Sequence, residues 1–197
     1  MLLTTNILKE KYIDYVNPLD KIKRDADEGK IFRLTRGVYE TDRAVNPLFL
    51  ASAIMSPSYI SFDSALSYYG LIPERVVAIT SASLCVRKNK TFTNVFGRYE
   101  FSDIPPEAFS SGTTIIKDNN HAMRIASKEK AICDSLYKWR IIHSIKDLKI
   151  LLFDDKRIDE DEFSELDFNE LIRLAKLYHK TNLELLIKLI RKEYLHE

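Results

Sequence analysis

Hydrophobic and polar positions change their spacing along the chain, and each change marks an element. Leu8, Tyr12, Tyr15 and Val16 fall on one helical face, so a helix is expected over Thr5 to Val16. A second helix is expected to start at Asn17-Pro18, where asparagine caps and proline suits the first helical position. Leu19, Ile22 and Ala26 form its inner stripe, and Gly29 ends it. The pattern then shortens. In KIFRLTRGVYE (30–40), Phe32, Leu34 and Val38 are apolar at near-alternate positions while Arg33 takes the other face. Gly37 supplies the backbone freedom of a tight reversal, so this stretch reads as a hairpin.

The middle of the chain is mixed. NPLFLASAIM opens with another Asn-Pro start and reads as a buried helix. FDSALSYYG reads as a short helix stopped by Gly70. Strand-like runs follow: VVAIT (76–80), SLCVR (83–87), TFTNVF (91–96), RYEFS (98–102), TTIIKD (113–118) and MRIAS (123–127). Asn89 and Gly97 are the expected turn points. From Ser127 onward the period is helical. Ile132, Leu136 and Trp139 share a stripe, and SIKDLKILLF forms another helix. An acidic run, DDKRIDEDEFSELDFNE, reads as a solvated connector. Two more helices are expected, striped by Phe168, Leu171, Ile172 and Ala175 and by Leu183, Leu186, Ile187, Ile190 and Tyr194.

The expected fold is therefore α+β. A head like a winged helix-turn-helix covers 1–44, and a second domain covers 45–197. That second domain divides into a central α/β part with antiparallel strands (45–126) and a helical part (127–197).

Composition narrows this little. The chain has 197 residues, 45% hydrophobic, with 5 Gly and 6 Pro, which suits a packed globule rather than disorder. A net charge of +1 means that any nucleic-acid surface must be local. Cys85 and Cys133 stand apart without a CxxC, as buried thiols of a reducing compartment do. No signal peptide or membrane-length apolar run is visible, so a cytoplasmic protein is expected.

Enzyme chemistry finds little support. His121, His143, His179 and His196 show no metal-ligand spacing, and neither metal nor cofactor is expected. There is no GxSxG elbow and no glycine-rich phosphate loop. Asp118, Glu129 and Lys130 fall on a strand-then-helix segment, loosely as in a Mg²⁺-dependent nuclease. Lys130 directly follows Glu129, however, so on a helix the two point about 100° apart. No catalytic residue is assigned.

Basic residues give a clearer signal. Between Lys21 and Arg36 six cations (Lys21, Lys23, Arg24, Lys30, Arg33, Arg36) face three anions (Asp25, Asp27, Glu28). Arg33, Thr35 and Arg36 are all donors, and no carboxylate intervenes between Lys30 and Glu40. Such a tip suits phosphates or a minor groove. So small a patch needs two copies or a second basic surface, for which Lys188, Arg191 and Lys192 are candidates.

The run NPLDKIKRDADEGKIFRLTRGVYE resembles the N-terminal winged helix-turn-helix of AbiEi-type antitoxins, whose wing ends in a G-[VL]-Y element, here Gly37-Val38-Tyr39. YISFDSALSYYGL (59–71) is similar to the family's strand-to-helix segment with its Ser64-Ala65-Leu66 core. ASKEKAICDSLY (126–137) is similar to its helix carrying Glu129, Ala131 and Asp134. The three stand in order over roughly residues 15 to 140. The resemblance implies an antitoxin and transcriptional autorepressor of an abortive-infection, type IV toxin–antitoxin system. Its partners would be operator DNA and a nucleotidyltransferase toxin countered without a required stable complex, with any self-association weak or induced by DNA. By position the DNA-contacting residues would be Lys21, Arg24, Lys30, Arg33, Thr35 and Arg36. A different class of function competes with it: a module that neutralises a partner by contact and binds no DNA.

Overall fold

The computed structural model describes residues 1–84 and 89–196. Its first unit is built from β1 (Leu2–Thr4), α1 (Thr5–Lys11), α2 (Pro18–Asp27), β2 (Phe32–Thr35) and β3 (Val38–Glu40). Caps set the helix starts. Thr4 accepts from the Ile7 N–H at 3.4 Å, and Asn17 accepts from the Leu19 N–H at 3.1 Å. The hairpin turns at Gly37, whose φ of +81° only glycine adopts without strain, and whose carbonyl accepts from the Thr5 N–H at 2.9 Å. β3 sits between β1 and β2 in an antiparallel sheet. Leu3, Leu8, Ile22 and Ile31 close a small core beneath it.

Two expectations fail here. α1 ends at Lys11, not Val16. The residues after it reverse the chain so that α2 folds back on α1, and the Tyr12 hydroxyl reaches Asp25 at 2.6 Å. Tyr15 and Val16 are left exposed, and so is Leu19, whose place on the inner face of α2 goes to Asp25. The strand β1 was not expected; three residues are too few to show a period.

The larger unit begins with a 3-10 turn (Pro47–Leu50) capped by Asn46, which runs into α3 (Ala51–Ile54). Then come β4 (Ser58–Ile60), α4 (Phe62–Tyr68), β5 (Ala78–Ser83), β6 (Lys90–Asn94), β7 (Gly97–Asp103), α5 (Pro106–Phe109), β8 (Thr113–Asp118) and β9 (His121–Ala126). They form one six-stranded sheet in the order β6-β7-β5-β4-β9-β8. It is mixed rather than antiparallel: β4 runs parallel to β9, and β5 to β7. Those neighbours are joined through intervening elements, which lets them run the same way. VVAIT and SLCVR do not make two strands across their described residues. One strand, β5, begins at Ala78 and ends at Ser83; Cys85, Val86 and Arg87 lie outside the described residues.

The helical part holds α6 (Lys128–Lys138), α7 (Ile145–Lys149) with a π-helical continuation to Asp155, α8 (Glu160–Ser164), α9 (Phe168–Ala175) and α10 (Thr181–Glu193). α4 and α6 pack together beside the sheet, and α9 and α10 pack against α6. The acidic run is not merely a connector. Asp159 and Asp167 accept from the N–H groups of Glu162 and Glu170 as helix caps, and Phe163 is wholly buried. Among the described residues no helix is long and apolar enough to cross a membrane.

The two units touch along β2, β3 and the β6–β7 turn. Leu34 joins the larger core, and the Asn94 side-chain amide donates to its carbonyl at 3.1 Å. Arg43 donates to the Val95 carbonyl at 2.9 Å and lies over the Phe32 and Phe96 rings. His121 bonds the buried Glu40 carboxylate at 2.9 Å.

Candidate nucleic-acid interface

α2, the β2–β3 hairpin and the β6–β7 turn enclose a groove of about 700 Å³. Lys23, Arg33, Arg36 and Asn94 line it, with Asp27 as an opposing charge. Arg24, Arg33 and Arg36 are exposed and have no carboxylate partner among the described residues. The only polar contact of Arg33 there is a long one, 3.4 Å from Nε to the Thr35 carbonyl. Thr35 is half-buried at the start of the bend.

Two of the six residues assigned from sequence are already engaged. Lys21 donates to Asp25 Oδ1 at 2.6 Å and packs over the Tyr12 and Tyr15 rings, its side chain only 15% exposed. Burial alone would raise the Asp25 carboxyl, but the bonds from Lys21 and Tyr12 outweigh it and hold it below the usual range. The Asp25 bond also pushes the Tyr12 hydroxyl up to about 12. Lys30 pairs with Glu28 at 2.5 Å, which lowers the glutamate and raises the lysine. Lys21 is thus withdrawn from the outer surface, while Lys30 remains outside but partly neutralised. Lys188, Arg191 and Lys192 are exposed on α10, and none of them lines the groove.

No family model and no curated protein matches this chain.

The carboxylates of the nuclease alternative do not converge with Lys130. Asp118 ends β8 at the hairpin tip, where Asn119 donates to it at 3.1 Å. Glu129 accepts from the Asp167 N–H at 3.4 Å. Lys130 turns inward to Asp134 Oδ1 at 2.8 Å. Among the described residues no cluster of three or more His, Cys, Asp or Glu is arranged to hold a metal. Cys133 is fully buried, and burial pushes its thiol up, away from the reactive thiolate.

Lys130 and Asp134 belong to a polar centre that sequence reasoning missed. Both are wholly buried. Tyr178 donates to Asp134 Oδ1 at 2.6 Å and also bonds Lys130; Ser61 and Tyr59 donate to Oδ2 at 2.6 and 2.9 Å. Burial first, then the Asp134 charge, pushes both tyrosine hydroxyls far up, so they remain donors. The sequence signal was a lysine and an aspartate at i,i+4 on the side of the helix opposite the Ile132, Leu136 and Trp139 stripe.

Proposed function

We propose that the protein binds double-stranded DNA through its N-terminal unit, read as a reduced winged helix-turn-helix. Its α1 and α2 form the helix pair and β2–β3 the wing. The observation that carries this reading is the pair of exposed arginines, Arg33 and Arg36, that line one groove without carboxylate partners among the described residues; Arg24 is exposed on α2 outside that lining. Arginine in that setting meets phosphate bidentately. With Lys21 bound to Asp25, the contact weight moves from α2 to the wing. The likeness of three ordered segments to AbiEi-type antitoxins extends the proposal to an autorepressor that counters a nucleotidyltransferase toxin. Fluorescence anisotropy with DNA from the protein's own upstream region, beside a scrambled duplex, tests it at two salt concentrations. Tight, salt-sensitive binding that prefers the upstream DNA is expected; equal weak binding to both duplexes overturns it.

One observation favours a contact-neutralising module instead. Ile13, Tyr15, Val16 and Leu19 are exposed together in sequence around the α1–α2 turn. If that surface does the work, Val16→Asp abolishes toxin neutralisation, while Arg33→Ala/Arg36→Ala leaves it intact.

A further inference from the structure

The groove beside the wing is not built by the N-terminal unit alone. β2 is an outer strand of the small sheet and β6 an outer strand of the large one, and both border the groove. Residues 31–36 form one wall and residues 92–95 another. A patch as small as Arg33 and Arg36 calls for a second basic surface, and α10 contributes nothing to this lining. The joint and the larger unit supply one closer by.

Arg43, just past β3, is exposed and has no carboxylate partner among the described residues. Its Nη2 donates to the Val95 carbonyl at 2.9 Å, and its guanidinium lies 5.7 and 5.1 Å from the Phe32 and Phe96 ring centres. Phe32 and Val95 both line the groove, so Arg43 is fixed at its margin. Only Nη2 is engaged; Nε and Nη1 have no partner among the described residues. An arginine held against aromatic rings with donors to spare is set to meet a phosphate.

The pleat of β6 adds a second cation. Lys90, Phe92 and Asn94 alternate along the strand and so share one of its faces. Phe92 and Asn94 line the groove, and Lys90, about 7 Å beyond Phe92, carries that wall outward. Lys90 is exposed, with no ion pair among the described residues. On the opposite face Thr91 and Thr93 stand beside Glu100 and Arg98, which pair with each other at 2.6 Å. Five cations, Lys23, Arg33, Arg36, Arg43 and Lys90, thus meet two carboxylates, Asp27 in the lining and Asp42 next to Arg43. We infer that the DNA-contact surface continues across the joint onto the larger unit, where Arg43 and Lys90 hold the same duplex as Arg33 and Arg36. The inference rests on the DNA-binding reading of the N-terminal unit and adds to it a share for the larger one.

Anisotropy with the upstream duplex over a series of salt concentrations tests it. Arg43→Ala and Lys90→Ala should each lower affinity about 3–10-fold, the worth of one contact. Each should also lessen the slope of log affinity against log salt by about 1, and the double variant by about 2. Arg43→Lys should keep the parent's slope, because the charge remains while the flat fork is lost. A role confined to bracing the joint would instead lower affinity in Arg43→Ala with the slope unmoved. Lys188→Ala/Lys192→Ala on α10 is the control for bulk charge and should leave the slope as it is. The inference is overturned if Arg43→Ala/Lys90→Ala keeps the parent's slope, or if the α10 control lessens it equally. An unmoved slope there, beside a lessened one in Arg33→Ala/Arg36→Ala, removes the larger unit's share and leaves the wing its role. A parent that binds upstream and scrambled duplexes equally weakly removes both.

Discussion

Two groups of charges in this protein behave in opposite ways. In the larger unit, Lys130 and Asp134 are buried and every partner is supplied from within: Tyr59, Ser61 and Tyr178. In the N-terminal unit, Arg24, Arg33 and Arg36 stand in solvent with no carboxylate to neutralise them among the described residues. Charges of the first kind fix geometry, because a half-satisfied buried network is costly. Charges of the second kind contribute little to folding and stay open to an outside anion. Lys21 lies between them: a surface lysine by sequence, turned inward by Asp25.

The sharpest way to break the contrast is to remove one buried partner. Lys130→Met leaves Asp134 without its cation and should cost about 3–5 kcal/mol in urea unfolding. Lys130→Met/Asp134→Leu should recover part of that loss; if the double variant is the worse of the two, the pair is not the centre of the network. Gly112→Ala comes next. Gly112 has a φ of +65°, and an added Cβ would lie 2.9 Å from Leu174 and 3.0 Å from the Lys130 Cβ. A loss of about 2 kcal/mol is expected from strain and overpacking.

The exposed charges should answer to salt rather than to urea. Arg33→Ala/Arg36→Ala should change unfolding free energy by less than about 0.5 kcal/mol. Its DNA affinity should fall, and the slope of log affinity against log salt should lessen by about 2, one for each phosphate left without its arginine. A large stability change with an unaltered slope would reverse the assignment.

Tyr12→Phe should have the smallest effect, about 1 kcal/mol at neutral pH, for one hydrogen bond to Asp25. Its pH dependence has two ends. The folded Asp25 carboxyl is held below its ordinary 3.8, so its contribution is present above that value and fades as pH falls through the depressed one. The Tyr12 hydroxyl is raised from 10.0 to about 12, so its contribution is full below 10 and fades as pH rises through about 12. The gap between parent and variant, followed by urea unfolding, should narrow at both ends.

Much of the fold was legible because its signals are local. Asn17-Pro18, Asn46-Pro47 and Ser127 cap where the sequence places them, and the Gly37 turn, β6 to β9 and the stripes of α9 and α10 follow from period and turn residues. What stayed hidden depends on distant partners. β1 exists because β3 accepts it, and the parallel pairing of β5 with β7 is a matter of topology. Asp159 and Asp167 looked like solvated acids because a cap and a surface carboxylate are the same residue in a sequence. At the candidate interface, the exposure of Arg33 and Arg36 is in keeping with the donor run between Lys30 and Glu40 that the sequence shows. The withdrawal of Lys21 could not be read there, since it requires Tyr12 and Asp25 to meet across the α1–α2 turn.

The joint between the units bears on how any anion would be met. The hairpin is anchored by Asn94 on the Leu34 carbonyl, by Arg43 on the Val95 carbonyl and by His121 on Glu40. Its backbone is therefore ordered before a ligand arrives. A loop that must fix its shape on binding surrenders part of each new contact to its own ordering. This one has already met that entropic cost during folding, so modest contacts from two arginines translate more fully into affinity.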